Sequence, residues 1–314
     1  MKLSFVIPVF NESESMNILY SEIIENVSSL SQIDEYEIIF IDDGSDDDSF
    51  LTMKAISEKD LCVKIIKFRR NFGKSSALNT GFKNATGDII ITLDSDLQDD
   101  PKEISSFIEK INEGFDIVSG WKMKRNDKLL KRITSKIFNK VVSIAFRFNL
   151  KDHNSGFKAY KKHVIKELDI YGELHRYIPA LAISKGFKIT EIPVNHRKRI
   201  HGKSKFGSER FIRGFLDLLT VKLVTTFNRS PLYLFGGIGT VLTSSGILLG
   251  LYLTILRTLK LTYLSNRPLL FLSMLLIIVG LQFVSIGLIG ELLVNQSRKL
   301  NRDDTVSIEE KINL

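Results

Sequence analysis

The sequence predicts an α/β chain with a mostly parallel sheet, followed by a transmembrane pair of helices, and three observations carry this. Short β-branched runs alternate with longer helical patterns over residues 1 to about 120, the mark of βαβ units. The strand runs, such as Ile38-Ile39-Phe40-Ile41 and Ile89-Ile90-Ile91, are apolar at consecutive positions, as strands covered by helices on both faces must be. Near the C-terminus, the stretches from Arg229 to Arg257 and from Arg267 to Glu291 hold no charged residue between their ends. Each exceeds the roughly 20 residues that a helix needs to cross hydrocarbon.

Taken in order, "LSFVIPVF" reads as a first strand, "ESMNILYSEIIENVSSL" as an amphipathic helix and "YEIIFIDD" as a second strand. "SFLTMKAISEKD" is helical, "VKIIKF" is a third strand, "KSSALNTGFKNA" is a helix and "DIIITLDSD" is a fourth strand. Residues 128–148 then read as a basic amphipathic helix, with Leu130, Ile133, Ile137, Val141, Ile144 and Phe148 at helical spacing. Residues 209–222 repeat the theme. Beside a membrane hairpin, both suit a surface lying on anionic headgroups. The expected organisation is a catalytic domain over 1–208, an interfacial region over 209–229, two transmembrane helices at 231–256 and 268–290, and a cytoplasmic tail over 295–314.

The 314 residues are 44% hydrophobic, enough for a large core, and carry a net charge of +8. That balance favours a polyanionic partner: nucleic acid, a nucleotide sugar or an anionic membrane. Cys62 is the only cysteine, so no intrachain disulfide forms and a cytosolic face is compatible. "MKLSFVIPVF" is too short and too β-like for a signal peptide. Positive charge flanking the hairpin, Arg210, Arg213, Lys222 and Arg229 before it and Arg298, Lys299 and Arg302 after it, places both termini in the cytoplasm.

Ligands of such sheets bind outside the carboxyl ends of the strands, and the polar clusters fall there. Asp94 and Asp96 flank Ser95 where the fourth strand ends, so both carboxylates can converge on one ion. Mg²⁺ or Mn²⁺ is usually held by one or two carboxylates plus substrate phosphates, and Gln98 could add a neutral oxygen. Asp99 and Asp100 fit a different role, because "DDPKEI" resembles a helix N-cap followed by proline. Asp42 and Asp43 can accept hydrogen bonds from a nucleobase or ribose. Pro8, Phe10, Asn11 and Glu12 end the first strand in the same layer. Asn71 to Lys74 supply a glycine-permitted turn and a cation near a diphosphate. Neither a P-loop nor a G-x-G-x-x-G fingerprint is present. None of the five histidines has metal-ligand spacing.

The ordered set "FVIPVFNE", "IDDGSDD", "RNFGKSSALNTGF", "DSDLQDDP", "NSGFKAY" and "HRKRIHGKSKFG", with the two-span tail, resembles glycosyltransferase family 2. Within it the chain looks like the polyprenyl-phosphate glycosyltransferases, the bactoprenol glucosyltransferases and dolichyl-phosphate mannose synthases. The resemblance implies a GT-A, Rossmann-like catalytic domain and metal-dependent, inverting transfer of a hexose from a UDP-sugar to undecaprenyl or another polyprenyl phosphate. Glucose is the default sugar, with N-acetylglucosamine, mannose or aminoarabinose as alternatives. It places Pro8 to Glu12, Asp42, Asp43, Lys74, Asp94 and Ser95 at the donor nucleotide, and Asp94, Asp96 and Gln98 on a divalent cation.

Asp152, with Asp96, falls at the reaction centre. Lys122 and Arg132 would meet the acceptor phosphate, and Arg197, Arg199, Ser204 and Lys205 belong to a basic loop over both phosphates. Lys122 stands where the family often has arginine, keeping the charge but losing bidentate geometry. The expected partners are the donor, the lipid acceptor, the membrane and further copies of the chain in a homo-oligomer such as a tetramer; nucleic acid is not among them. The location expected is the cell membrane, with the catalytic domain cytoplasmic. A processive family 2 synthase would carry a Q-x-x-R-W signature, which is absent. A nucleotide-sugar-binding membrane scaffold without turnover is the alternative from another class.

Overall fold

The structure, a computed structural model, describes residues 1–122, 150–152, 155–168, 170, 172, 174–197, 231–259 and 268–300. The chain divides into two compact units, Met1–Val221 and Lys222–Leu314. The expected basic helix over 128–148 and the interfacial region over 209–229 lie outside the described residues.

In the first unit, β1 (Lys2–Val9), β2 (Glu35–Asp42), β3 (Val63–Lys67) and β4 (Ile89–Thr92) alternate with α1 (Ser13–Ser28), α2 (Ser49–Ser57) and α3 (Lys74–Asn84). All seven elements match the sequence reading to within a few residues. After them come α4 (Ile104–Asn112), β5 (Ile117–Lys122), β6 (Lys158–Lys161), α5 (Lys162–Glu167), α6 (Ile178–Ser184) and β7 (Ile189–Val194). The seven strands form one sheet in the order β3-β2-β1-β4-β6-β5-β7. Only β6 runs against its neighbours, antiparallel to both β4 and β5.

Both sheet faces are covered, as the unbroken apolar strands require. Met16, Leu19, Ile23 and Val27 of α1 pack with Leu3, Phe5, Ile7 and Val9 on one face. Ala77, Leu78 and Phe82 of α3 join Val6, Ile39 and Ile41 on the other. Each such side chain contributes about 1.5–3 kcal/mol when fully buried. Register aligns the carboxyl ends: Val9 pairs with Asp42, Asp42 with Lys67, and Val6 with Thr92. The chemistry-bearing residues that follow these strands therefore share one edge.

Toward the opposite end of β2, Glu37 is buried and saturated with donors. Ser4 Oγ and Lys64 Nζ each donate to it at 2.5 Å, the Thr86 backbone N–H at 2.6 Å and Thr86 Oγ1 at 2.9 Å.

The second unit is a helical pair, α7 (Pro231–Thr258) and α8 (Pro268–Leu300). Pro231–Thr258 and Pro268–Val294 are long and apolar enough to cross a membrane, spanning the stretches the sequence predicted. A soluble core helix would be mostly buried, whereas Leu248, Leu251, Phe271 and Leu292 are all more than half exposed. The helices meet through small residues. A β-carbon on Gly280 would lie 2.3 Å from Thr243 Oγ1 and 2.7 Å from the Gly239 carbonyl oxygen, and Ser273 Oγ donates to the Gly246 carbonyl at 2.8 Å.

Candidate active site

One end of the carboxyl edge is built from the loops after β1 and β2. Asp42 is the last residue of β2; its Oδ1 accepts the Ser45 N–H at 2.8 Å. Its buried Oδ2 has no hydrogen-bond partner among the described residues. Beside it, Asn11 has a left-handed backbone, φ 53°, which asparagine tolerates better than most residues. The Asn11 N–H donates to Ser45 Oγ at 3.0 Å, Asn11 Oδ1 accepts the Asp46 N–H at 2.9 Å, and the Glu12 N–H donates to Ser49 Oγ at 2.9 Å. The segment after Pro8, through Phe10 to Glu12, is thereby laced to the loop after Asp42.

Asp43, expected at the donor, is engaged within the protein. Its carboxylate accepts the Phe72 N–H at 2.7 Å and the Gly73 N–H at 3.0 Å, so it holds the loop leading into α3. Burial raises its pKa, the two amides oppose this and Asp42 adds to it.

The acidic stretch after β4 divides one residue later than its sequence indicates. Asp94 is paired with the ammonium of Lys74, the first residue of α3. Ser95 is buried, and Asp96 is 9% exposed with Oδ1 accepting the Gln98 N–H at 3.2 Å. Asp100 is a helix cap as expected, accepting the Lys102 N–H at 3.2 Å ahead of Pro101. Asp99 is not a cap. It is 1% exposed, and its carboxylate lies 3.5 Å from the Lys122 ammonium at the end of β5. A cap must reach free amides at a helix start, and Asp99 is turned away from them into the site.

Asp152 and Lys158 complete the cluster; both are buried. The Asp152 N–H donates to Glu191 Oε1 at 2.9 Å, and the Lys151 N–H to Oε2 at 2.8 Å, so β7 fixes the backbone that carries Asp152. Lys158 donates to the Ser155 carbonyl. Carboxylates Asp94, Asp96, Asp99 and Asp152 and ammonium groups Lys74, Lys122 and Lys158 thus share one neighbourhood, buried except at Asp94, Lys74 and, in part, Lys122. Burial opposes ionisation of Asp94, but Lys74, Lys122 and Lys158 outweigh it and hold its pKa below the ordinary range. Burial, with Asp94 and Asp96, raises Asp99 against the pull of Lys122. Lys122 is raised because Asp99, Asp94, Asp152 and Asp96 overcome its desolvation. Burial and Lys74 bring Lys158 down to about 8.

Two expected site residues, Arg197 and Gln98, have partners within the protein. The guanidinium of Arg197 is bound to both oxygens of Glu22 at 2.7 and 2.8 Å and to Asp100 at 2.6 Å. These three contacts tie α1 to the loop ahead of α4. Gln98 Nε2 reaches the Arg197 carbonyl at 3.4 Å, and the Arg197 N–H returns a bond to the Gln98 carbonyl at 2.9 Å. The remaining members of the expected set, Arg132, Arg199, Ser204 and Lys205, lie outside the described residues.

The structure adds residues that sequence reasoning passed over. Lys158 lies within "NSGFKAY", yet nothing in that run shows that its ammonium enters the cluster. Ser75 and His175 are 100 positions apart, yet Ser75 Oγ lies 2.9 Å from His175 Nδ1 and accepts the His175 N–H at 3.1 Å. Burial, with Lys74 and Arg176, pushes His175 well below its ordinary pKa, so it is neutral behind the start of α3. Glycine at 156 was quoted within a motif, but its reason was invisible: a β-carbon there would lie 2.5 Å from Asp94 Oδ2.

Among the described residues, no group of three or more His, Cys, Asp or Glu side chains could hold a metal ion. Asp94 and Asp96 are two hard oxygen donors on one loop, Asp94 paired with Lys74 and Asp96 accepting the Gln98 N–H. That fits Mg²⁺ or Mn²⁺, which keep several positions for substrate phosphate and water.

A mixed, mostly parallel sheet with a two-aspartate site at its carboxyl edge defines a GT-A glycosyltransferase, and the comparisons agree. The glycosyl transferase family 2 model matches residues 4–169, and the chain belongs to that family. It is 32% identical over 97% of its length to a dodecaprenyl-phosphate galacturonate synthase of Rhizobium johnstonii, covering 90% of that protein. It is 35% identical over 92% of its length to an undecaprenyl-phosphate 4-deoxy-4-formamido-L-arabinose transferase of Photorhabdus laumondii, covering 88% of it. The fold also matches glucosyl-3-phosphoglycerate synthase of Mycobacterium tuberculosis in complex with UDP, with a TM-score of 0.52 and 17% identity over 71% of this chain and 79% of that one. A complex of that enzyme with Mn²⁺, UDP and glucosyl-3-phosphoglycerate matches with a TM-score of 0.52 and 18% identity over the same shares of the two chains.

Proposed function

We propose that this glycosyltransferase transfers a sugar, with inversion, from a UDP-sugar to undecaprenyl or a related polyprenyl phosphate at the cytoplasmic face of the membrane. The observation that carries the reading is the cluster of four carboxylates and three ammonium groups at the carboxyl edge of the sheet, adjoining the unpartnered oxygen of Asp42. Asp42 Oδ2 accepts from the N–H of the base, with residues 8–12 packed beside it. Asp94 and Asp96 would hold a divalent cation, which would supply charge stabilisation for a departing diphosphate. Lys74 lies on the same side and adds a cation to it.

Lys122, and Arg132 by sequence position, receive the acceptor phosphate. A phosphate monoester has a second pKa near about 6, so the nucleophile arrives largely ionised. Asp152 therefore orients it and takes a residual proton, a lighter task than deprotonating a sugar hydroxyl. Lys122 and Lys158 offset the repulsion between the acidic cluster and an anionic nucleophile.

Two apolar helices anchor the enzyme where its lipid substrate lies, and both termini face the cytoplasm, as the flanking positive charge favours. A homo-oligomer, such as a tetramer, assembles through these helices. For the sugar, resemblance favours glucose, while the relatives' names carry galacturonate and 4-deoxy-4-formamido-L-arabinose.

The test is incubation of the full chain in membranes with undecaprenyl phosphate and labelled UDP-glucose, UDP-galacturonate, UDP-N-acetylglucosamine, UDP-4-deoxy-4-formamido-L-arabinose and GDP-mannose. One UDP-sugar should yield a chelator-sensitive lipid product with inverted anomeric configuration. UDP binding without any lipid product would leave the scaffold reading instead.

A further inference from the structure

We infer that Asp99 is a positioning residue for Lys122, holding the lysine off Asp94 and Asp96 so that its ammonium does not compete with the divalent cation for those two carboxylates. The inference rests on the function proposed above. Asp99 is 1% exposed, and neither of its carboxylate oxygens has a hydrogen-bond partner among the described residues. Its backbone is fixed by a bridge to His196 and by the adjoining bond from the Arg197 N–H to the Gln98 carbonyl. The bridge limits how far the carboxylate can move toward another donor.

A buried carboxylate without donors is costly unless an opposite charge compensates it. Among the described residues its ion pair is with Lys122, at 3.5 Å. The ammonium of Lys122 is also under the influence of Asp94, Asp152 and Asp96. It rides on a flexible four-carbon stem, so without Asp99 it would move to those carboxylates. Lys74 already takes Oδ1 of Asp94. A second ammonium would crowd the oxygens that remain for the cation. Asp99 thus keeps Lys122 apart from the metal side of the site without itself touching substrate.

The test is Mn²⁺ binding to the full chain in detergent with saturating UDP, read by electron paramagnetic resonance for four proteins: unaltered, Asp99→Asn, Lys122→Met and the double variant. Asp99→Asn should weaken Mn²⁺ binding about tenfold, whereas Lys122→Met alone should change it less than about twofold, and the double variant should return to within about threefold of the unaltered protein. An unchanged constant in Asp99→Asn overturns the inference. So does a tenfold loss that persists in the double variant, because Asp99 would then act on the ion directly.

If Asp99→Asn does not fold, the double variant decides alone, since it replaces both buried charges. Binding within about threefold supports the inference, and a tenfold loss overturns it. No Mn²⁺ binding by the unaltered protein would overturn the proposed function and this inference with it.

Discussion

A β-carbon on Gly156 would lie 2.5 Å from Oδ2 of Asp94, so the loop before β6 forms one wall around that carboxylate. Gly156→Ala should displace that carboxylate, and a misplacement of about 1 Å can cost on the order of 100-fold in rate. We expect kcat/KM to fall about that much, with overpacking destabilising the fold by only about 1–3 kcal/mol. Steady-state kinetics alongside thermal unfolding separate the two effects. An alanine enzyme of full activity would disprove the contact's importance.

Asp42→Asn tests the nucleotide end. Asparagine keeps an oxygen for the Ser45 N–H but turns an NH₂ toward the base, where the reading requires an acceptor. An unpaired polar contact of this kind costs about 1–3 kcal/mol. The KM for the UDP-sugar should therefore rise about tenfold or more, with the KM for the lipid acceptor unchanged. Equal rises in both would place Asp42 elsewhere in the mechanism.

Glu37 makes the fold sensitive to acid. Burial raises its pKa, but donation from Lys64, Ser4 and Thr86 outweighs this and lowers it from 4.5 to about 2. A carboxyl depressed in the folded state stabilises fully above its unfolded pKa, and that contribution fades as pH falls from about 4.5 toward 2. It amounts to about 3 kcal/mol at neutral pH. Glu37→Gln should lower stability at pH 7 and shrink the difference between pH 7 and pH 3. Denaturant titration of the full chain in detergent at both values gives the answer; an undiminished acid slope would point to other carboxylates.

The helical pair offers a fourth test. Gly280→Leu forces a side chain into space held by Thr243 and the Gly239 backbone. The close glycine approach should open toward an ordinary interaxial distance of about 8–10 Å. Spin labels on the outer faces of α7 and α8 would register the change. An unaltered separation would mean that the contact is not set at this point.

The first four strands and the three helices between them were legible because each run declares its own period and the polar residues cluster where strands stop. β5, β6 and β7 were not assigned. β6 is only four residues, Lys158–Lys161, and its antiparallel place between β4 and β5 depends on partners far away in sequence. The same limit hid Lys158 and the pairing of Ser75 with His175. Asp99 misled for another reason: its neighbours in sequence fit a cap, while its neighbour in space is Lys122, and the partners of Arg197, Glu22 and Asp100, were equally invisible in its basic run. Residue type announced the charge, and only the fold says what it is set against.

The donor-rich surroundings of Glu37 differ in kind from the crowded carboxylates at the far edge of the same sheet. At one end a single negative charge is met by several donors, and at the other four carboxylates share three cations and leave acceptors unmet. The first arrangement is electrostatically relaxed and the second is under tension, which substrate and metal would relieve. Substitutions that loosen the chain should therefore concentrate near Ser4, Glu37 and Thr86. Those that alter turnover should gather around Asp42, Asp94 and Lys122. An engineer seeking a sturdier enzyme has a place to work that the reaction never visits.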